Sequence, residues 1–163
     1  MSLTLSPRQA RKLGIDLGKS TAKYGNVRTQ RRIVIRVPMP PVPKARARMG
    51  KNGHWYTPEA TAQAERDIAV MALASMAGTA PLRSGVSVEI RFNMPIPPSW
   101  SKKRHEKMEL KYHTVKPDLD NLVKTVKDAL NGIVWLDDAQ VCVLEASKSY
   151  SPDPGTEITI TEA

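Results

Sequence analysis

The sequence predicts an α+β fold: a single domain with a small mixed β-sheet and two main helices. Three observations predict it. β-branched or alternating stretches mark four strands, and apolar residues at helical spacing mark two longer helices. The chain order is strand, hairpin, helix, strand, helix, strand, strand, which is not a repeated βαβ unit. At 163 residues and 40% hydrophobic content, the chain is sized for one domain with a real core.

Residues 1–30 are expected to form a flexible basic extension, and 31–163 the domain. Ser6-Pro7 opens a two-turn helix that Gly14 closes, and the stretch to Gln30 is rich in Gly, Ser, Thr and Lys. Ile33–Val37 is a β-branched run stopped by Pro38, hence a strand. Lys51-Asn52-Gly53 is a turn signal, which predicts a hairpin from Ala47–Met49 and His54–Tyr56. Thr57 is placed as the N-cap of a helix with Pro58 at its first position. Ala64, Ile68, Met71, Ala72 and Ser75 carry that helix to about Met76.

Val86–Met94 alternates as a half-buried strand does. Residues 95–116 form a long insertion, Pro-rich and then basic, with a short helix predicted over Lys102 to Leu110. Insertions of this length in a compact domain are usually functional. Asp118 opens the second main helix, which continues to about Asn131-Gly132. Val141–Lys148 and Glu157–Thr161 are the last strands, joined by a Ser-Pro-Asp-Pro-Gly turn.

Charge points to a polyanionic partner. Residues 1–56 hold thirteen Lys and Arg against one acid, Asp16, while residues 57–163 hold twelve bases and fifteen acids. DNA or RNA fits that asymmetry. No run of about 18 apolar residues occurs, so no membrane span is expected, nor a secretory leader. Cys142 is the single cysteine. It excludes an intramolecular disulfide and a multi-cysteine metal site, and fits a reduced, cytoplasmic setting.

The most informative stretch is Lys116-Pro117-Asp118-Leu119-Asp120-Asn121-Leu122-Val123-Lys124. Pro117 disfavours helix at Lys116, so Asp118 and Asp120 lie at a strand-to-helix junction. In extended chain the side chains of i and i+2 point the same way. The helix N-terminus sets a partial positive charge beside them, and Lys124 lies one turn above Asp120. Further along is Trp135-Leu136-Asp137-Asp138. Chains rarely concentrate carboxylates without a cation, and oxygen-only ligands suit a hard ion, Mg²⁺ or Mn²⁺. Taken singly, Asp118 or Asp120 is better read as an N-cap, and Asp137-Asp138 as a turn; taken together, beside a basic chain, they favour a metal site.

The string PDLDNLVKTVKDALNGIVWLDDAQV resembles the signature of the RusA-type Holliday junction resolvases of bacteria and prophages. The similarity is dense over Lys116–Val143 and looser from Ile33 to the C-terminus, including Pro40-Pro41 and Ser101-Lys102-Lys103-Arg104. The combination DxDN…WxDDxQV is specific, whereas a lone DxD is not. The resemblance implies a RusA-like fold and an Mg²⁺-dependent homodimer that resolves four-way DNA junctions by paired nicks. It implies Asp118, Asp120 and Asp138 as the essential metal-binding acids, Asp137 as a further candidate, and Lys124 as the catalytic lysine. Residues 1–30 and the long insertion depart from the family pattern.

Lys44, Arg46, Arg48, Lys102, Lys103, Arg104 and Lys107 are the candidate phosphate contacts. Trp55, Tyr56 and Trp100 sit beside these bases and either anchor loops or the core, the favoured reading, or stack on unpaired bases. His54, His105 and His113 are expected at the surface, and Trp135 and Cys142 in the core. Two rival functions remain: a non-catalytic junction- or DNA-binding protein, and a DxD glycosyltransferase, for which the chain is short.

Overall fold

A computed structural model of the chain describes residues 30–108 and 111–163; the two-turn helix and linker expected before residue 30 lie outside the described residues. The frame is a four-stranded mixed sheet. Its strands are β1 (Arg32–Val37), β4 (Val86–Pro95), β5 (Val141–Ser151) and β6 (Gly155–Glu162), in the order β1-β6-β4-β5. β6 runs antiparallel to both β1 and β4, and β5 runs parallel to β4. A separate two-stranded hairpin is formed by β2 (Arg48–Met49) and β3 (Trp55–Tyr56). Among the described residues three helices complete the frame: α1 (Glu59–Met76), the short α2 (Lys102–Met108) and α3 (Leu119–Leu130).

Period-two alternation explains why the helices cover one face only. Ile33, Ile35 and Val37 of β1 and Val86, Val88, Ile90, Phe92 and Met94 of β4 all point to the helical side and are buried. Ile158 and Ile160 of β6 continue the same rows. Leu122, Val126 and Leu130 of α3, with Ile68, Ala72 and Met76 of α1, close over them. Each large apolar side chain removed from water contributes about 1.5–3 kcal/mol, so this two-layer core is the main source of stability. No helix among the described residues is long and apolar enough to cross a membrane.

Two details differ from the expectations. α1 begins at Glu59 with Pro58 as its N-cap and no side-chain cap, so Thr57 stays outside the helix. The carbonyl of Pro58 accepts from the amides of Thr61 and Ala62 and serves the first turn. The Ser-Pro-Asp-Pro-Gly turn does not join hairpin partners. β4 lies between β5 and β6, so the turn crosses the end of β4 near Pro95. Gly155 makes the crossing possible, because a Cβ there would come within 2.9 Å of the Val37 carbonyl oxygen.

The parallel pairing of β4 with β5 matters most for position. Parallel strands need a long crossover, and here the crossover is the basic insertion with α2, then α3 with its acids. It returns through a 3₁₀ turn, Asp138–Gln140, directly into β5.

Candidate active site

Asp118 occupies the N-cap position of α3 in extended conformation, yet its side chain makes no capping hydrogen bond. Asp120 lies in the first turn. Neither carboxylate enters a salt bridge among the described residues, so both keep their acceptor sites free. An acid used only as a cap would be bonded to a backbone N–H of that turn. Along α3, Asp120, Lys124 and Lys127 fall on one stripe by helical spacing, and the opposite stripe is the buried apolar one. Lys124 is exposed and makes no ion pair among the described residues.

Asp138 reaches the same stripe from the other end. Its carboxylate lies 3.2 Å from the Lys127 ammonium and is about half exposed. With a rise of about 1.5 Å per residue, Lys127 stands roughly 10 Å along the helix from Asp120. Accordingly, among the described residues no group of three or more His, Cys, Asp or Glu side chains is close enough to hold one ion. The expected meeting of Asp118, Asp120 and Asp138 is therefore not assembled in this conformation. The physical reason is plain: bare carboxylates repel, and Asp138 takes the nearest ammonium. The donors nevertheless suit a hard divalent ion in kind, being carboxylate oxygens on an exposed face with free lone pairs.

Asp137 and Asp138 separate cleanly. The Asp137 side chain accepts from the Ala139 amide and caps the 3₁₀ turn, so its carboxylate is engaged structurally. Gln140, to which the sequence assigned no role, holds the whole loop. Its Oε1 accepts from the amides of Leu136 and Asp137, and its Nε2 donates to the carbonyls of Leu82 and Ser84. The capping-box spacing Asp137-x-x-Gln140 was the available signal.

Lys148 is the second residue the sequence reading missed. It sits opposite Phe92 in the parallel register, on the apolar face of β5. Its ammonium donates to the carbonyls of Val115 and Pro117, at 2.7 and 2.5 Å. Those carbonyls end the segment that leads into Asp118, so a cation fixes the approach to the first acid. A lysine in the apolar phase of a strand was the signal.

The long insertion is pinned to β5 beside this site. The amide of His113 donates to the Lys148 carbonyl, and the amide of Tyr150 to that of Lys111. The Tyr150 ring lies 4.6 Å from His113 and 5.3 Å from Trp100. His113 is thus buried, at 7% exposure, where a surface position was expected. Burial lowers its pKa from 6.5, and Lys148 adds to the effect. The fold therefore favours neutral imidazole, and its contribution to stability is lost as pH falls below 6.5 because the unfolded chain protonates first. The melting temperature should drop between pH 7.5 and 5.5, and His113→Phe should reduce that drop.

The basic candidates fall into distinct places. Lys102, Lys103, Arg104 and Lys107 are exposed on α2, and the Arg104 guanidinium lies 3.8 Å over the Trp100 ring. Trp100 is therefore a loop anchor, as expected. Arg46 and Arg48 are exposed near the hairpin. Lys44 departs from expectation: its ammonium binds Glu65 at 2.5 Å and Asp128 at 2.7 Å, bridging α1 to α3. Burial alone would lower its pKa, but the bonds to Asp128 and Glu65 outweigh that and raise it. Its charge is spent inside the fold instead of being offered to phosphate. Cys142 is exposed, not core, whereas Trp135 is fully buried.

Residues 38–161 match the family model described as endodeoxyribonuclease RusA. A Bacillus subtilis (strain 168) protein, named only as uncharacterized protein YqaN, is 48% identical over 81 residues. That stretch is 47% of this chain and 57% of the relative, so the match spans little more than half of that protein's length.

Proposed function

The chain belongs to the RusA endodeoxyribonuclease family, and from that premise we propose that it resolves four-way DNA junctions by paired nicks. The observation that carries this reading is the pair Asp118 and Asp120 at the start of α3. Both lie within the matched region, and among the described residues neither is used as a side-chain cap or an ion-pair partner. The same match weighs against the glycosyltransferase alternative.

In this proposal Asp118, Asp120 and Asp138 would hold Mg²⁺, with Mn²⁺ as a substitute, once Asp138 leaves Lys127. When bound, the ion would activate water and neutralise charge on the phosphate. Lys124, exposed on the Asp120 face and unpaired among the described residues, contacts the non-bridging oxygens of the scissile phosphate. Water adds to phosphorus and the P–O3′ bond breaks, leaving a 5′-phosphate and a 3′-hydroxyl. A homodimer suits the substrate, because a junction needs two opposed cuts. Exposed cations of α2 and of the hairpin region hold the arms by their phosphates.

Lys148 acts as a positioning residue here. Lys148→Met should lower kcat by up to about 100-fold, the cost of a misplaced reacting group, at little change in KM. Lys148→Arg should restore part of the rate.

A labelled synthetic junction, incubated with Mg²⁺ or with EDTA beside a linear duplex of the same sequence, tests the function. Symmetric nicks in the junction alone, abolished by EDTA, are expected. One observation favours a rival, non-catalytic junction-binding role: the three acids are not gathered. Binding without any cleavage in Mg²⁺ or Mn²⁺ would establish that rival.

A further inference from the structure

The β2–β3 hairpin carries a surface that the phosphate contacts do not explain. Trp55 is 70% exposed, Met49 63% and Tyr56 50%. Trp55 and Tyr56, expected from sequence to anchor loops or the core, stand in water. Contiguous exposed apolar side chains mark binding surfaces, whereas singly scattered ones need no explanation.

The register sorts them. Met49 pairs with Trp55, and Arg48 with Tyr56. Directly opposed residues share a face and neighbouring pairs alternate. One face is thus an apolar platform of Trp55 beside Met49, and the other sets Tyr56 beside a guanidinium. The tip is tight: the Gly50 amide donates to His54 and the Gly53 amide to Gly50. Gly53 adopts φ +73°, as a turn closed by a left-handed residue requires.

The charge identifies the occupant. From Met39 to Pro58 the chain has four cations and no acid. Arg46, Arg48 and Lys51 make no side-chain bond or ion pair among the described residues. Flat aromatic faces interleaved with free cations match a nucleobase attached to phosphate. The root of the hairpin lies beside the candidate acids, because the Lys44 amide donates at 2.9 Å to the carbonyl of Asn121, the residue after Asp120. Arg48 is four residues from that anchor, within about 14 Å at full extension.

We propose that the β2–β3 hairpin is a stacking finger: Trp55 and Tyr56 take unpaired bases at the branch point, while Arg46, Arg48 and Lys51 hold the adjoining phosphates. The proposal rests on the reading of branched DNA as substrate and adds how unpaired bases are distinguished from duplex.

The test is equilibrium binding of the full chain in EDTA to a fluorescein-labelled four-way junction, a single strand and a linear duplex. Trp55→Ala should weaken junction and single-strand binding by about 5- to 100-fold and change duplex binding less than twofold. Arg46→Ala with Arg48→Ala should weaken all three and flatten the salt dependence. Trp55 is exposed, so an unchanged melting temperature is the folding control. Equal losses of Trp55→Ala on all three DNAs, or no loss on any, overturn the finger while leaving the nuclease reading intact. A wild-type chain that binds none of the DNAs overturns both. A change in sedimentation with unchanged DNA binding reassigns the surface to a second copy of the chain.

Discussion

Asp118→Asn should reduce cleavage of a four-way junction on the order of a thousandfold while the protein folds and binds DNA as before. The substitution keeps size and removes only charge. Because the Asp118 side chain makes no capping bond, the helix start loses only a negative charge beside its dipole, and the stability change should stay within about 1 kcal/mol. A thousandfold loss corresponds to about 4 kcal/mol of barrier, within the several kcal/mol that a metal ion contributes to such a hydrolysis. Junction affinity should hold or rise slightly, because one negative charge facing phosphate is gone. Single-turnover rates and gel-shift titrations of the two proteins measure both effects. Cutting at the wild-type rate would remove Asp118 from the site.

Trp135→Ala should destabilise the fold by about 3–5 kcal/mol, the range for emptying a large buried aromatic site. The ring is fully buried in the core, and the backbone on either side is tied in. The Trp135 carbonyl accepts from Gly132, and the residue bridges to Leu82 and Asn131. At about 2–4 °C per kcal/mol for a chain of this size, the melting temperature should fall by roughly 10 °C. Trp135→Phe should cost far less. It keeps most of the volume and removes a ring N–H that has no hydrogen-bond partner among the described residues. The effect reaches the site as well, because Trp135 leads directly into the loop that carries Asp138. Urea titration gives both free energies. A change under 1 kcal/mol for the alanine variant would mean that the indole is not the packed group described.

How much of this could be read from the chain follows from the range of each interaction. Strands and helices came from local periodicity: the alternation Val86, Val88, Ile90, Phe92 became an interior strand of the sheet. The apolar stripe of Leu122, Val126 and Leu130 became the buried face of α3. Turn chemistry placed the hairpin at Lys51-Asn52-Gly53. Long-range partners were not legible. Nothing local shows that Lys44 finds Glu65 and Asp128, or that β6 inserts between β1 and β4 instead of pairing with β5. His113 has no apolar pattern around it, and its burial comes from Tyr150, far along the chain. The motif marked Asp118, Asp120 and Asp138 as a set, but not that Lys127 holds the third of them. Gln140 and Lys148 act on backbone amides and carbonyls, which carry no residue identity and so leave little trace in sequence.

The central proposal is that these three aspartates close around one divalent ion. Diffraction from crystals grown with Mn²⁺, with data collected at the manganese edge, addresses it directly. The expected map shows one anomalous peak roughly 2.0–2.3 Å from carboxylate oxygens of Asp118, Asp120 and Asp138, with Asp138 released from Lys127. A saturating Mn²⁺ concentration that leaves Asp138 on Lys127 and no peak between the acids would contradict it.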